Sequence, residues 1–169
     1  GQEYVDSYRA RDLEKDSVVN ARAANLALLN QHLLDNQKMM LVVFAPDKAF
    51  AMPEEFGLSP SEQKPSNSTK WRHALTNNAI PFIDFRQHFK SLVDTSAYPV
   101  FTKTGIHWNV WGMRNAADSI AGFINAHSSY QLPRMMVEAN IWSKDYPSIE
   151  KDLENALNLW LPLEKEEMP

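Results

Sequence analysis

The first third of the chain has an apolar pattern typical of an amphipathic helix that leads into a buried strand. Between about Asp12 and Asp35, apolar residues recur at spacings of three and four, which predicts one long helix with a single apolar face. That face comprises Val19, Ala23, Leu26, Leu29 and Leu33. The apolar run over residues 39–45 ends at Pro46, and we expect it to form a strand buried on both faces. A helix followed by a buried strand indicates an α/β protein.

The middle of the chain contains a loop, a helix and a strand in that order. Residues 52–69 contain three prolines and several Ser, Asn and Glu residues, a composition that favours an exposed loop able to overhang a cleft. We predict a short helix over residues 71–78 and a second strand over residues 79–85. Pro81 is compatible with that strand only near its start or on an edge of the sheet.

Two more helices and one more strand are predicted in the last third of the chain. Asn109 is a preferred N-cap residue, and apolar residues repeat at helical spacing after it to about residue 125. We also expect a third strand over residues 135–142 and a last helix over residues 148–159. The elements together predict a three-layer α/β/α, flavodoxin-like fold around a small, mostly parallel sheet with right-handed crossovers.

Length and composition favour one globular domain over residues 1–169. The 169 residues suffice for a single core, and 44% hydrophobic with 22% charged residues is ordinary for a folded protein. The longest apolar run is far shorter than the roughly 20 residues that cross a bilayer. A net charge of −4 with scattered Lys and Arg disfavours a nucleic-acid partner, because phosphate binding needs a basic face.

Residues suited to chemistry occur at two places in this predicted fold. Ligands of open parallel sheets gather at the carboxyl ends of the strands, where we expect Asp47, Lys48 and Asp84. The second place is His107, which lies between a loop and a predicted helix. A histidine there can act as a general base, or it can be a structural residue whose ring packs beside Trp108.

Metal and thiol chemistry are disfavoured by the residue types. The chain has no cysteine, and its five histidines show no pair at the helical spacing of metal ligands. We therefore expect no metal site and no other cofactor. The lack of cysteine fits a reducing and an oxidising compartment equally well.

Two short segments resemble a known family. His107, Trp108, Asn109 and Gly112 form a His-Trp-Asn-x-x-Gly block, and Lys48 completes a Pro-x-Lys pattern at the end of the first predicted strand. In this order they resemble the SGNH-hydrolase-like domain of the alginate O-acetyltransferase family. The resemblance spans most of the chain. It implies an SGNH-like α/β fold and serine-dependent O-acetyltransferase or esterase activity with His107 as the catalytic base.

The same resemblance implies a carbohydrate site. The expected substrate-binding residues are Lys48, Asp84, Trp108 and Asn109, since tryptophan rings pack on the apolar faces of sugars. Lys48 can instead hold its loop or lie solvated, and the tryptophans can instead be core residues. The expected partners are a polysaccharide and a membrane-bound acyl-transfer protein, and the expected location is the periplasm or cell envelope.

The segment before His107 departs from the family pattern. Gly105 stands where the family has the aspartate that orients the histidine, and Thr104 occupies the carboxylate position of other SGNH esterases. Asp84 and Asp94 then remain as candidate carboxylate partners.

The serine nucleophile of the family follows a buried strand in a Gly-Asp-Ser-type turn after the His-Trp block. No such segment follows here, and Ser119 falls within a helical repeat, where we interpret it as an ordinary helix residue. Residues 159–163 resemble the connector that leads toward the serine-bearing strand in relatives. We therefore expect either a degenerate domain or a fragment of a longer chain, with an incomplete sheet and the nucleophile outside this chain. Because the sequence opens on Gly1 rather than Met, we also expect that an export signal or anchor has been removed. The open edge of such a sheet favours a homodimer.

Two functions are compatible with these observations. One is a carbohydrate O-acetyltransferase or acetylesterase domain that acts on an extracytoplasmic polysaccharide through His107. The other is a non-catalytic module that keeps the fold and binds polysaccharide or a protein, which Gly105 and the missing serine favour.

Overall fold

The structure, a computed structural model, describes residues 2–45, 47–103 and 105–136. The helices are α1 (Gln2–Tyr8), α2 (Asp16–Asp35), α3 (Lys48–Ala51), α4 (Asn67–Asn77), α5 (Phe85–Thr95) and α6 (Val110–His127). The strands are β1 (Val42–Phe44) and β2 (Phe82–Asp84). The chain divides into two compact units, Gly1–Arg86 and Gln87–Pro169. Within the three described ranges, no helix has the length and apolar character needed to cross a membrane.

The first unit contains a small parallel sheet, which confirms the predicted α/β class. β1 and β2 pair in parallel, with Phe44 opposite Asp84. The amide of Val42 donates to the carbonyl of Pro81, so the proline stands just before β2, where its missing N–H leaves the strand pairing intact. Val43 is 38% exposed, so the prediction that β1 is buried on both faces is wrong.

Helix α2 begins later than predicted and buries only the first part of its apolar face. Val19 and Ala23 pack with Ala74 of α4, and the half-buried Trp71 lies against this cluster. Leu29, which the sequence assigns to the same face, is exposed. The apolar repeat therefore predicts the helix correctly but overstates how much of it is covered within the described residues.

Residues 52–69 are more ordered and more buried than the exposed loop that their composition predicts. They include two 3₁₀ helices, at Pro53–Phe56 and Pro60–Glu62. Leu58 between them is buried and packs against Tyr8 of α1 and Ala49 of α3. This is a correction to the prediction of an overhanging loop, and α1 itself was not predicted.

The second unit is built around the aromatic side chain of Phe89 on α5. The ring of Phe89 is fully buried and lies 6.1 Å from that of Phe101, measured between centroids. α6 begins after Asn109, as predicted, and extends two residues beyond the predicted end. Met135 and Met136 are exposed and irregular, whereas the rest of the predicted third strand and the last predicted helix lie outside the described residues.

Candidate functional site

The carboxyl ends of β1 and β2 bring two predicted carboxylates to one edge of the sheet. Asp84 is the last residue of β2, and Asp47 precedes α3. The Asp47 side chain caps α3 by accepting a hydrogen bond from the backbone N–H of Phe50 at 2.8 Å. Parallel pairing places the ends of both strands on the same side, as the topology predicts.

A buried arginine that the sequence reasoning missed links these strand ends to helix α4. The Arg86 guanidinium donates through Nη1 to Ser66 Oγ at 2.6 Å and to Ser68 Oγ. Its Nη2 lies 4.0 Å from Asp47 Oδ2. The backbone N–H of Arg86 donates to Asp84 Oδ1 at 2.9 Å. Arg86 thus connects three chain segments, and the signal that could have identified it is a basic residue two positions after a strand-end aspartate.

The groups around the Arg86 guanidinium have opposing effects on its pKa. Burial lowers the pKa of Arg86, while the nearby carboxylates of Asp47 and Asp84 raise it and Arg72 lowers it. The group still carries its charge, because an unperturbed arginine pKa lies far above neutral pH. The guanidinium lies 3.9 Å from the ring centroid of Phe50, a cation–π contact that offsets part of the desolvation cost.

Lys48 lies inside the first unit rather than in solvent. The residue is 3% exposed, and its Nζ lies 2.7 Å from Glu55 Oε2. The interpretation of Lys48 as a solvated lysine is therefore wrong. The ion pair joins α3 to the following 3₁₀ helix, which fits the loop-holding alternative, and contact with a carbohydrate substrate stays a prediction.

His107 lies in a short closed loop in the second unit. Phe101 and Trp108 form an antiparallel bridge, and the backbone N–H of Asn109 donates to the carbonyl of Val100 at 3.0 Å. These contacts close the loop over residues 102–107 immediately before α6. His107 is exposed in this position, whereas the bridge partner Phe101 is buried.

The Asn109 side chain makes two hydrogen bonds to nearby backbone groups. Its Oδ1 accepts a hydrogen bond from the backbone N–H of Gly112 at 3.0 Å, which confirms the predicted N-cap. Its Nδ2 donates to the carbonyl of Pro99 at 2.8 Å. The residue is 3% exposed, so local folding explains its presence, and its contact with substrate stays a prediction.

Trp108 and Gly112 pack against the same aromatic ring. The ring centroids of Trp108 and Phe89 are 5.1 Å apart. A Cβ on Gly112 would come within 2.9 Å of Phe89 Cε1, so only glycine lets the first turn of α6 approach this closely. Packing and capping thus account for Trp108, Asn109 and Gly112 of the block, and His107 is the member that reaches solvent.

Two positions that depart from the family pattern, Gly105 and Ser119, each make a local hydrogen bond. Gly105 is buried, and its backbone N–H donates to the carbonyl of Thr102 at 3.4 Å. Ser119 lies within α6, and its hydroxyl donates to the carbonyl of Asn115 at 2.9 Å. This confirms that Ser119 belongs to a helix rather than to a strand-to-helix turn.

The predicted site residues fall in both units. Lys48 and Asp84 belong to the first unit, and His107, Trp108 and Asn109 belong to the second. The remaining candidate carboxylate, Asp94, is exposed on α5. Across the part of the chain that the structure describes, no three His, Asp or Glu side chains form a group able to hold a metal ion.

The parallel sheet of the first unit, with polar residues at the carboxyl ends of its strands, places the protein in the α/β class. The family model described as the SGNH hydrolase-like domain of the acetyltransferase AlgX matches residues 4–160. The chain belongs to this family, which confirms the resemblance and the fold class. No curated protein and no solved structure matches the chain.

Proposed function

We propose that this chain is a carbohydrate O-acetyltransferase or acetylesterase domain in which His107 is the general base. The observation that carries the proposal is the exposure of His107 directly before α6. The nearby Asn109 and Gly112 have structural roles, because Asn109 caps α6 and Gly112 allows its first turn to pack closely. A base must reach the proton that it abstracts, and exposure of the imidazole provides that access. Membership of an acetyltransferase family supports the reaction class.

The proposed reaction proceeds in two steps of acetyl transfer. A serine hydroxyl attacks the acetyl carbonyl carbon while the His107 imidazole accepts the hydroxyl proton. The tetrahedral intermediate then collapses and its bond to the donor oxygen breaks, while the His107 imidazolium gives its proton to that oxygen. The donor departs as an alcohol and an acetyl-serine remains. A sugar hydroxyl then attacks the acetyl-serine in a transferase, or water does so in an esterase, by the same proton route in reverse.

We place the nucleophile outside the described residues. The Ser119 hydroxyl already donates within its own helix, as a helix-interior serine commonly does. The proposed acceptor is a polysaccharide in the periplasm or cell envelope, with acetyl groups delivered by a membrane-bound partner. Gly105 lacks the carboxylate that would orient His107, and loss of such an orienting group costs on the order of 10⁴-fold in rate in serine enzymes.

Active-site labelling tests this proposal directly. The chain is incubated with a fluorophosphonate probe, and peptide mass spectrometry locates any modified serine. Any label found on a serine of this chain should be lost in His107→Ala and retained in His32→Ala, because His32 is an exposed histidine on α2. A chain without label agrees with a nucleophile outside it. Labelling that is indifferent to His107 would contradict the assignment of this residue as the base.

A second function is favoured by one specific observation. Gly105 is buried and hydrogen-bonded within the loop at the position where the family has its aspartate. Polysaccharide retained in a pull-down by a chain that shows neither labelling nor acetyl transfer, even when the proposed serine-bearing segment is supplied, would instead indicate a non-catalytic binding module.

A further inference from the structure

The segment that follows α6 exposes several large apolar side chains close together. Residues 130–136, here called the return segment, include Tyr130, Leu132, Met135 and Met136, which are 68%, 41%, 46% and 88% exposed. Four of its seven residues are therefore large, apolar and accessible to solvent. Single exposed apolar residues are ordinary, whereas a contiguous group of them marks an interaction surface.

Two side chains of α6 hold the backbone of the return segment. Asn125 Nδ2 donates to the carbonyl of Leu132 at 2.9 Å, and Asn125 Oδ1 accepts from the backbone N–H of the same residue at 2.7 Å. Asp118 Oδ1 accepts from the backbone N–H of Met135 at 2.9 Å. These contacts fix the backbone and leave the apolar side chains exposed. A segment that is fixed before it binds loses less conformational entropy on binding.

The two attachment points show that the return segment is extended and antiparallel to α6. From Asn125 back to Asp118, seven helical residues advance about 10 Å at roughly 1.5 Å per residue. From Leu132 to Met135, three residues cover a similar distance at about 3.3 Å per residue, as in a strand. The exposed side chains are therefore spaced along a line beside the helix.

The charges at the return segment favour an anionic partner. Arg134 is exposed, and it takes part in no ion pair within the described ranges. The carboxylate that contacts the segment, Asp118, already has a cation beside it, since Arg114 Nη2 lies 3.7 Å from its Oδ2. The guanidinium of Arg134 therefore keeps its donors for an external acceptor such as a phosphate group.

The accessible apolar area is small for a protein partner. At roughly 200 Å² for one large side chain, the exposed fractions of the four apolar residues amount to about 500 Å². A specific protein–protein interface covers about 800 Å² on each partner. Binding to a lipid surface needs no complementary shape, because it depends on the apolar area inserted and on attraction to anionic headgroups. The area and the free cation together favour a lipid surface.

We propose that the return segment docks this protein onto a membrane surface that contains anionic lipid. Its leucine and both methionines enter the boundary between headgroups and acyl chains, and Arg134 contacts lipid phosphates. Tyr130 lies at the level of the headgroups, where its ring is covered and its hydroxyl stays hydrated. The proposal involves no acetyl transfer and does not depend on the role of His107.

Vesicle flotation of the full chain measures this binding. The vesicles consist of phosphatidylcholine alone or of phosphatidylcholine mixed with phosphatidylglycerol. We expect the chain to bind the anionic mixture about fivefold more tightly than the neutral vesicles, a factor that one cation near an anionic surface supplies. Arg134→Gln should remove this preference, and added salt should weaken it.

Two matched double variants test the apolar contribution. Leu132→Ser combined with Met136→Ser should weaken binding to both kinds of vesicle by about tenfold or more, because it removes most of the inserted area. Leu28→Ser combined with Leu34→Ser alters two comparably exposed side chains on α2, at 72% and 53%, and should bind like the wild type.

A fluorescent label locates the contact independently of the affinity. The chain has no cysteine, so Met136→Cys and Leu28→Cys each accept one environment-sensitive fluorophore. On anionic vesicles, we expect the emission to move to shorter wavelength for the label at 136 and to stay unchanged for the label at 28.

Three results would overturn the proposal. They are a chain that floats with neither kind of vesicle, binding that the Leu132→Ser and Met136→Ser double variant leaves unchanged, and equal emission shifts at the two labelled positions. Self-association that this double variant abolishes, without any vesicle binding, would overturn it too and assign the surface to a second copy of the chain.

Discussion

At the scale of single residues, Gly112 and Gly122 lie on the same helix but face different surroundings. A Cβ on Gly112 would lie 2.9 Å from Trp108 Cβ and 3.1 Å from the carbonyl oxygen of Val100, atoms close to the backbone that cannot easily move. Nothing lies within 4 Å of the corresponding position on Gly122. The crowding around Gly112 therefore comes from packing and not from the helix itself.

We predict opposite effects of alanine at these two glycines. Gly112→Ala should lower the free energy of unfolding by about 1–3 kcal/mol through overpacking. Gly122→Ala should raise it by about 0.5–1 kcal/mol, because glycine is unfavourable inside a helix. Urea denaturation followed by tryptophan fluorescence measures both, and equal changes in the two variants would show that the Gly112 contacts relax freely.

Residue type alone predicted part of the site. Asn109 was identified as an N-cap because capping depends on one side chain and the next three residues, which a local sequence window contains. Arg86 was missed because its partners Ser66 and Asp47 are distant along the chain. Lys48 was correctly placed after a strand, but its burial depends on Glu55 and the surrounding fold.

At the scale of elements, Arg86 holds together the end of β1, the end of β2 and the start of α4. Arg86→Met should destabilise the protein by about 3 kcal/mol, because it leaves Asp47 and two serine hydroxyls without their buried cation. Arg86→Lys should recover only part of this loss, since an ammonium cannot match the planar fork. Chemical denaturation measures the free energy of unfolding of both variants.

The control for Arg86 is a neighbouring arginine with a weaker role. Arg72 has a 48% exposed side chain and, among the residues that the structure describes, a single ion pair, at 3.4 Å from Asp84 Oδ2. Arg72→Met should change stability by less than about 1 kcal/mol. An Arg86→Met variant as stable as Arg72→Met would contradict the linking role of Arg86.

The ionised side chain of Glu62 makes the stability of the fold around the second 3₁₀ helix depend on pH. The backbone N–H of Ser59 donates to Glu62 Oε2 at 2.9 Å, and Arg9 donates to its Oε1. The hydrogen bond from Ser59 has the largest effect and that from Arg9 the next largest. Together they lower the pKa of Glu62 below its ordinary value of 4.5. A lowered folded-state pKa stabilises the fold above the unfolded value, and this contribution is lost as the pH falls through the folded-state pKa.

We therefore expect Glu62→Gln to be less stable than the wild type at pH 6, with the difference shrinking as the pH falls below 4.5. Thermal unfolding at several pH values measures the gap. Glu54→Gln removes an exposed carboxylate from the preceding 3₁₀ helix and serves as the matched control. A gap between wild type and Glu62→Gln that is constant with pH would contradict the role of the charge.

At the scale of the whole molecule, the sheet of the described residues has only two strands. Backbone groups on the open sides of a short sheet are available to pair with another chain. We predict a homodimer that forms through β1, and sedimentation velocity should show the monomer–dimer exchange as concentration rises. Val43→Lys, which places a charge on the exposed side chain of β1, should suppress it. A single monomeric species at the highest concentration would contradict this prediction.

The sequence by itself determined the α/β class, the order of α2, β1, α4, β2 and α6, and the family, because periodicity, capping and short motifs are local properties. Tertiary structure decided which apolar residues are covered: Leu58 is buried within a segment rich in turn formers, whereas Leu29 is exposed on a well-predicted helix. It also decided that Arg86 joins the strand ends to α4. Burial and long-range pairing depend on residues far apart along the chain, which a local pattern does not contain.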